Sequence, residues 1–278
     1  MKKGISIWSF GDMRIKDVFK MASQAGFEGV ELALEETGEI GMDFTPKKAE
    51  KIKEMAKENG LEIYGLASGL YWSNSLTSDD ATERNRAFDI AEFQLKAASW
   101  LGVETILLIP GAVGVDFVPG FAVVDYETAY NRALDAVQKL APIAQKHGVC
   151  IGIENVWNKF LTSPLELRGF IDQVNSPWVG SYLDVGNTMY NGYPEHYIKT
   201  LGNRIKKVHF KDYRVAVGGL DGFVDLLAGD VNYPAVMEAF AAIGYDGWVS
   251  AEMIPQYKHY NRALIENTSN AMDKILGR

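Results

Sequence analysis

The sequence contains one cysteine, Cys150, which excludes a disulfide within the chain. Cys150 lies in the apolar run 149–153 and reads as a buried strand residue, not a nucleophile. No apolar stretch approaches the roughly 18 residues of a membrane-spanning helix. The N-terminal run Met1-Lys2-Lys3-Gly4-Ile5-Ser6-Ile7 lacks the apolar region and cleavage site of a signal peptide, so the expected location is cytoplasmic. Positive charge is in deficit: 28 Lys and Arg face 36 Asp and Glu, a net charge of −8. That balance argues against nucleic-acid binding, which requires a basic face. Gly218-Gly219 and Gly229-Asp230 are glycine-containing turns, not a P-loop. No low-complexity segment or interdomain linker divides the chain.

What is present is a regular alternation. The chain has 278 residues, 47% hydrophobic and 23% charged, enough for a sizeable core and close to the roughly 250 residues of one α/β barrel. Eight short apolar runs read as strands: 4–8, 28–33, 61–66, 103–109, 149–154, 178–184, 205–210 and 247–252. Their β-branched character suits a parallel sheet covered by helices. Between them lie amphipathic segments. Tyr130, Leu134, Val137, Ala141 and Ala144 recur at helical spacing in 127–147, as do Phe88, Ala91, Leu95 and Ala98 in 81–101. Thr45-Pro46 and Ser163-Pro164 read as an N-cap followed by proline in the first turn. Gly26, Gly60, Gly102, Gly148 and Gly244 stand where helices must stop, and 259–277 reads as an eighth helix. The expected fold is therefore a (β/α)8 TIM barrel, one catalytic domain over 1–278, with a doubly wound open sheet as the alternative.

Loop lengths give that barrel a polarity. The long connections, 67–79, 110–126 and 211–231, all follow strands and would gather at the C-terminal mouth, where barrel active sites lie. Four consecutive strands end in ionisable residues there: Glu154, Asp184, His209 and Glu252. Three neighbouring carboxylates would repel one another and take up protons, and buried unpaired charge is costly. A divalent cation removes both problems. Three oxygens and one nitrogen suit Mn²⁺, Mg²⁺, Co²⁺ or Zn²⁺, and residue types alone do not choose among them. Four separate salt bridges or strand-end caps are the alternative.

Several segments together resemble the xylose-isomerase-like sugar isomerase/epimerase family, which includes D-tagatose, D-psicose and L-ribulose-5-phosphate 3-epimerases. The matching segments are Ala25-Gly26-Phe27-Glu28-Gly29-Val30-Glu31-Leu32, Ile153-Glu154-Asn155, Leu183-Asp184-Val185-Gly186-Asn187, Val208-His209-Phe210-Lys211-Asp212, Gly229-Asp230-Val231 and Gly244-Tyr245-Asp246-Gly247-Trp248. The resemblance implies that Glu154, Asp184, His209 and Glu252 hold one metal ion, for which we favour manganese. It also implies that Glu154 and Glu252 double as acid/base catalysts. The implied reaction is C3 epimerisation of a ketose or ketose phosphate through a metal-stabilised enediolate. A related keto-sugar isomerase, an inosose-type dehydratase and a non-enzymatic sugar- or partner-binding barrel are the alternatives.

The substrate contacts depart from the family pattern. Asn187 stands where these epimerases often have histidine, Val215 where they often have arginine (Arg214 is one residue earlier), and Phe160 where they often have a second glutamate. Trp8, Trp72, Asn187 and Arg214 are the candidate substrate contacts. Trp8, Phe10, Tyr71 and Trp72 offer aromatic faces to a sugar, or ordinary packing or an oligomer contact. Glu31 could bond a hydroxyl or form a salt bridge. Lys211 and Asp212 read as a structural ion pair, and Trp157 and Asn158 as lining of the mouth. His147, His196 and His259 are not assigned to metal. Endonuclease IV shares this fold family, but its three-zinc cluster needs many histidines and this chain has four. The expected partners are thus a small sugar or sugar phosphate, with homo-oligomer formation as a further expectation, and neither nucleic acid nor membrane.

Overall fold

The apolar runs become parallel strands that close on themselves. In the computed structural model, which describes residues 1–278, the first seven are β1 (Lys2–Ser6), β2 (Gly29–Leu34), β3 (Glu62–Ser68), β4 (Thr105–Leu108), β5 (Cys150–Glu154), β6 (Val179–Asp184) and β7 (Ile205–Phe210). A short antiparallel hairpin follows, β8 (Asp212–Tyr213) with β9 (Phe223–Val224), and β10 (Trp248–Ala251) completes the barrel. The order β1-β10-β7-β6-β5-β4-β3-β2 is closed, which rules out the open doubly wound sheet. Eight helices accompany the strands: α1 (Ile15–Gln24), α2 (Pro46–Glu58), α3 (Ala81–Leu101), α4 (Tyr126–His147), α5 (Pro164–Val174), α6 (Pro194–Leu201), α7 (Tyr233–Ala242) and α8 (Asn261–Leu276).

Helix boundaries follow local chemistry. Thr45 and Ser163 side chains accept from the amides of Lys48 and Glu166, each ahead of a proline in the first turn. Gly102 and Gly148 end α3 and α4 in the left-handed conformation. The buried stripe of α4 is Ala129, Ala133, Ala136, Val137, Leu140, Ala141 and Ala144, whereas Tyr130 and Leu134 are only half-buried. Small side chains on that stripe let the helix lie close to the barrel.

Strand ends differ from the sequence reading where apolarity outlasts the sheet. The first run was expected at 4–8, but β1 stops at Ser6 and Ile7–Phe10 winds into a 3-10 turn. The run 103–109 contributes only Thr105–Leu108, because Val103 still donates its amide to Ala98 at the end of α3. Cys150 opens β5 and is half-buried, not fully buried as expected, since the first residue of a strand lies at the barrel's rim.

The barrel interior is more polar than the aliphatic layers usual in this fold. Tyr182 occupies it, its hydroxyl donating to Glu31, and Tyr64 bonds Ser250 at 2.5 Å. Gly65 and Gly152 make room for Tyr182. A Cβ at Gly65 would lie 3.0 Å from the Tyr182 hydroxyl, and one at Gly152 would lie 2.8 Å from its ring. Between β3 and β4 the backbone pairing is a single register pair, Leu66 with Ile106. There the buried Gln94 amide of α3 donates to the carbonyls of Leu66 and Leu107 at 2.8 and 3.1 Å.

Candidate functional site

Period-two alternation aims one residue from each of four neighbouring strand ends into the mouth. Glu154 and Asp184 end β5 and β6, His209 is the penultimate residue of β7, and Glu252 directly follows β10. One ligand atom from each lies within 4.8 Å of the others, and all four residues are buried. His209 Nδ1 is 3.2 Å from Glu252 Oε2, 3.4 Å from Glu154 Oε1 and 3.8 Å from Asp184 Oδ2. The structure thus brings together the whole expected set.

Several contacts hold these groups in place. His209 Nε2 faces both oxygens of the fully buried Glu31, at 3.0 and 3.1 Å. With its proton on Nε2, the imidazole keeps the Nδ1 lone pair directed at the three carboxylates. Asn155 brackets the Asp184 backbone: its amide donates to the Asp184 carbonyl and its oxygen accepts the Asp184 N–H, each at 2.9 Å. Asn187 completes the latch. Its backbone N–H donates to Asp184 Oδ1 at 2.7 Å, and its side chain donates to the Asn155 carbonyl at 3.0 Å.

The charges are unevenly settled. Burial pushes the Glu154 carboxyl up to about 7, with the Glu252 charge adding to that shift. Burial acts on Glu252 in the same direction, but the Lys211 ammonium and His209 outweigh it and hold the carboxyl down at about 2. Burial also raises Asp184, against the pull of Lys211 and His209. Burial opposes charge on His209, yet Glu31 and Glu252 raise it well above its usual value. The donor set fits a divalent ion on a further observation: Asp184 Oδ2, His209 Nδ1 and Glu252 Oε2 are buried without a hydrogen-bond partner.

The substrate-contact candidates fare differently. Trp8 lies on the 3-10 turn after β1, partly buried, with its carbonyl accepting from Gln256. Trp72 is partly buried and meets the Phe117 ring edge-on at 5.2 Å. Phe10 and Tyr71 are core residues, and the Tyr71 hydroxyl bonds Gln94 at 2.6 Å. Arg214 is exposed and donates through Nε to the Ala228 carbonyl, with no ion pair to the cluster. Val215 lies on an exposed 3-10 turn. Phe160 is 2% exposed and packs with Tyr126, Tyr130 and Phe170, so its position points into the helix layer.

Trp157 and Asn187 line a cavity of about 170 Å³ beside the β5 and β6 loops, together with Asn155, Phe117 and Tyr190. Trp157 donates through its indole N–H to the Asn187 carbonyl at 3.0 Å. Asn158 is instead a loop brace, donating to the Gly111 carbonyl and accepting the Phe160 amide.

The expected Lys211–Asp212 ion pair does not form, because the strand ends turn the two side chains toward different partners. Lys211 Nζ lies 2.6 Å from Glu252 Oε2 and 3.1 Å from Asp184 Oδ2. Asp212 instead accepts backbone amides of Tyr213, Leu227 and Val231. Sequence reasoning therefore missed Lys211 as a neighbour of the cluster, and left Glu31 undecided. The signal for both was strand parity: Glu31 lies mid-strand on an inward position of β2, and Lys211 follows His209 by two residues. His147 and His196 belong to α4 and α6, and His259 to the loop before α8, away from the cluster. No helix is long and apolar enough to cross a membrane.

Comparison with known proteins agrees with this fold. The sequence model described as xylose isomerase-like TIM barrel matches residues 19–273. An L-ribulose-5-phosphate 3-epimerase of Escherichia coli is 23% identical over 241 residues, 84% of this chain and 80% of that protein. Among solved structures, D-psicose 3-epimerase with D-tagatose from Clostridium cellulolyticum H10 superposes with a TM-score of 0.81 at 19% identity, covering 100% of this chain and 99% of that one. The IolI protein with a bound zinc atom superposes with a TM-score of 0.82 at 18% identity, covering 100% and 98%. At these identities the structural likenesses speak to the fold.

Proposed function

Because the chain belongs to the xylose isomerase-like TIM-barrel family, we propose that residues 1–278 form one catalytic unit that epimerises a ketose or ketose phosphate at C3. The observation that carries this reading is the buried set Glu154, Asp184, His209 and Glu252, with ligand atoms within 4.8 Å of one another. In this proposal the four residues hold one divalent ion, manganese favoured, with magnesium, cobalt or zinc as the other choices. When bound, that ion supplies Lewis-acid stabilisation of negative charge developing on substrate oxygens.

The protein's own groups divide the proton work. Glu252, ionised as one of the residues that would hold the ion, takes the proton from the carbon next to the carbonyl. Glu154, the second glutamate of the set, returns a proton drawn from solvent to the opposite face of the planar enediolate, so C3 inverts. His209, held through Glu31, and Asp184, held through Asn155 and Asn187, fix the surrounding oxygens and nitrogen.

A second reading, keto-sugar isomerisation, draws on the altered contacts. Phe160 lies in the core and Arg214 on the surface, and neither supplies the substrate contact of the epimerase pattern. The two readings separate in deuterated water. Free ketoses and their phosphates are incubated with Mn²⁺ and the product is mapped by NMR: label at C3 with inversion supports epimerisation, and transfer between adjacent carbons supports isomerisation. Glu154→Gln and Glu252→Gln should each lose exchange by about 10²–10⁴-fold. Full exchange retained in both variants would overturn the mechanism, and no turnover of any panel member would favour a binding barrel.

A further inference from the structure

Lys211 places an ammonium inside the carboxylate cluster. Its Nζ is 2.6 Å from Glu252 Oε2 and 3.1 Å from Asp184 Oδ2, and its side chain is 13% exposed. These are ion pairs by distance alone, since neither oxygen has a partner of hydrogen-bonding geometry. The same two oxygens belong to the residues that could hold a divalent ion. A monovalent and a divalent cation cannot both keep close contact with them, because the interior screens their repulsion poorly.

The ammonium has somewhere to go. The face of Phe223, on β9, is 5.5 Å from Nζ. An aromatic face is a favourable seat for a displaced cation. The Lys211 backbone, by contrast, is fixed. Its carbonyl accepts the Tyr233 hydroxyl at 2.8 Å, and its Cβ packs so closely on Gly186 that a methyl there would collide. Any displacement is confined to the four-carbon stem.

We propose that Lys211 is an internal counter-cation, which neutralises Asp184 and Glu252 when no divalent ion is bound and withdraws toward Phe223 on loading. Lys211 therefore competes with the ion and weakens its binding. The inference rests on the reading of the cluster as a metal centre. It assigns Lys211 a role in metal affinity, beyond its contact with Glu252 in the metal-free protein.

The test measures Mn²⁺ dissociation constants of the full-length protein by calorimetry or chelator competition at fixed pH and ionic strength. Lys211→Met and Lys211→Gln should bind Mn²⁺ about tenfold or more tightly than wild type, while both lose thermal stability without metal. Lys211→Arg, which keeps the charge, should stay within about threefold of wild type. A general structural defect would weaken binding, so tighter binding separates competition from damage. If wild type binds and the two uncharged variants bind equally or more weakly, the counter-cation role falls and the metal reading stands. If no form binds Mn²⁺, Mg²⁺, Co²⁺ or Zn²⁺, both fall.

Discussion

Glu31 on β2 receives His209 of β7 across the barrel interior, with Nε2 lying 3.0 and 3.1 Å from its two oxygens and both residues fully buried. The pair fixes which imidazole nitrogen faces the carboxylate cluster. Carboxylates behind a metal-bound histidine typically set ligand orientation and basicity. Glu31→Gln should therefore weaken Mn²⁺ binding by about 10–100-fold while the barrel still folds. Calorimetric titration beside a far-UV spectrum checks it, and unchanged affinity would remove Glu31 from the metal's support.

Proton competition predicts a pH dependence. Burial pushes the Glu154 carboxyl of the metal-free protein up to about 7, and neighbouring carboxylates raise His209. Both must release their protons to a cation, so metal affinity should climb as pH rises from 5.5 through 7 and continue above it. Binding in that range should release protons, seen as a buffer-dependent enthalpy. The sign for the metal-free protein is the reverse. Groups whose folded pKa is raised contribute stability that is lost as pH rises through that pKa, so its melting temperature should fall between pH 5 and pH 8. Saturating Mn²⁺ should remove that fall.

The interior tyrosine offers a steric test. Gly65 faces the Tyr182 hydroxyl and the Glu31 side chain, and a Cβ there would come within 3.0–3.1 Å of them. Gly65→Ala should cost about 1–3 kcal/mol, measured by denaturant unfolding. Because the displaced group is the partner of His209, metal affinity should fall in the same variant. A substitution without effect on either quantity would show that the pair has slack.

Phe160 tests the departure from the epimerase pattern. Restoring a carboxylate with Phe160→Glu would place charge among Tyr126, Tyr130 and Phe170. The expected result is a loss of about 3–5 kcal/mol with no gain in ketose turnover. A stable, more active variant would mean that the 155–163 segment can re-aim this position toward the mouth.

The sequence carries some of these relationships and hides others, for identifiable reasons. The four clustered residues were legible because charge at the end of an apolar run is conspicuous and strand ends in a barrel share one mouth. The glycine helix stops were legible because a left-handed residue has few substitutes. Strand parity marks Glu31 and Lys211 as inward, but it does not name their partners: Glu31 meets His209 across the barrel and Lys211 meets Asp184 from the neighbouring strand. Apolarity reports burial, not strand pairing, which is why the first run extends into the 3-10 turn that carries Trp8. Arg214 shows the same limit for charge: residue type revealed nothing of the surface turn that carries it away from the cluster.

The Gln94 amide has a consequence for how the barrel comes apart. Between β3 and β4 it supplements a single backbone register pair, where β2 and β3 share six. That junction is a seam whose closure depends on a helix side chain. Amide protons of β4 flanking it should exchange with solvent through local opening before those of β5 and β6. The strands that end in the four clustered residues, β5, β6, β7 and β10, are consecutive and paired with one another, so the barrel can breathe at the β3–β4 seam while that run stays closed.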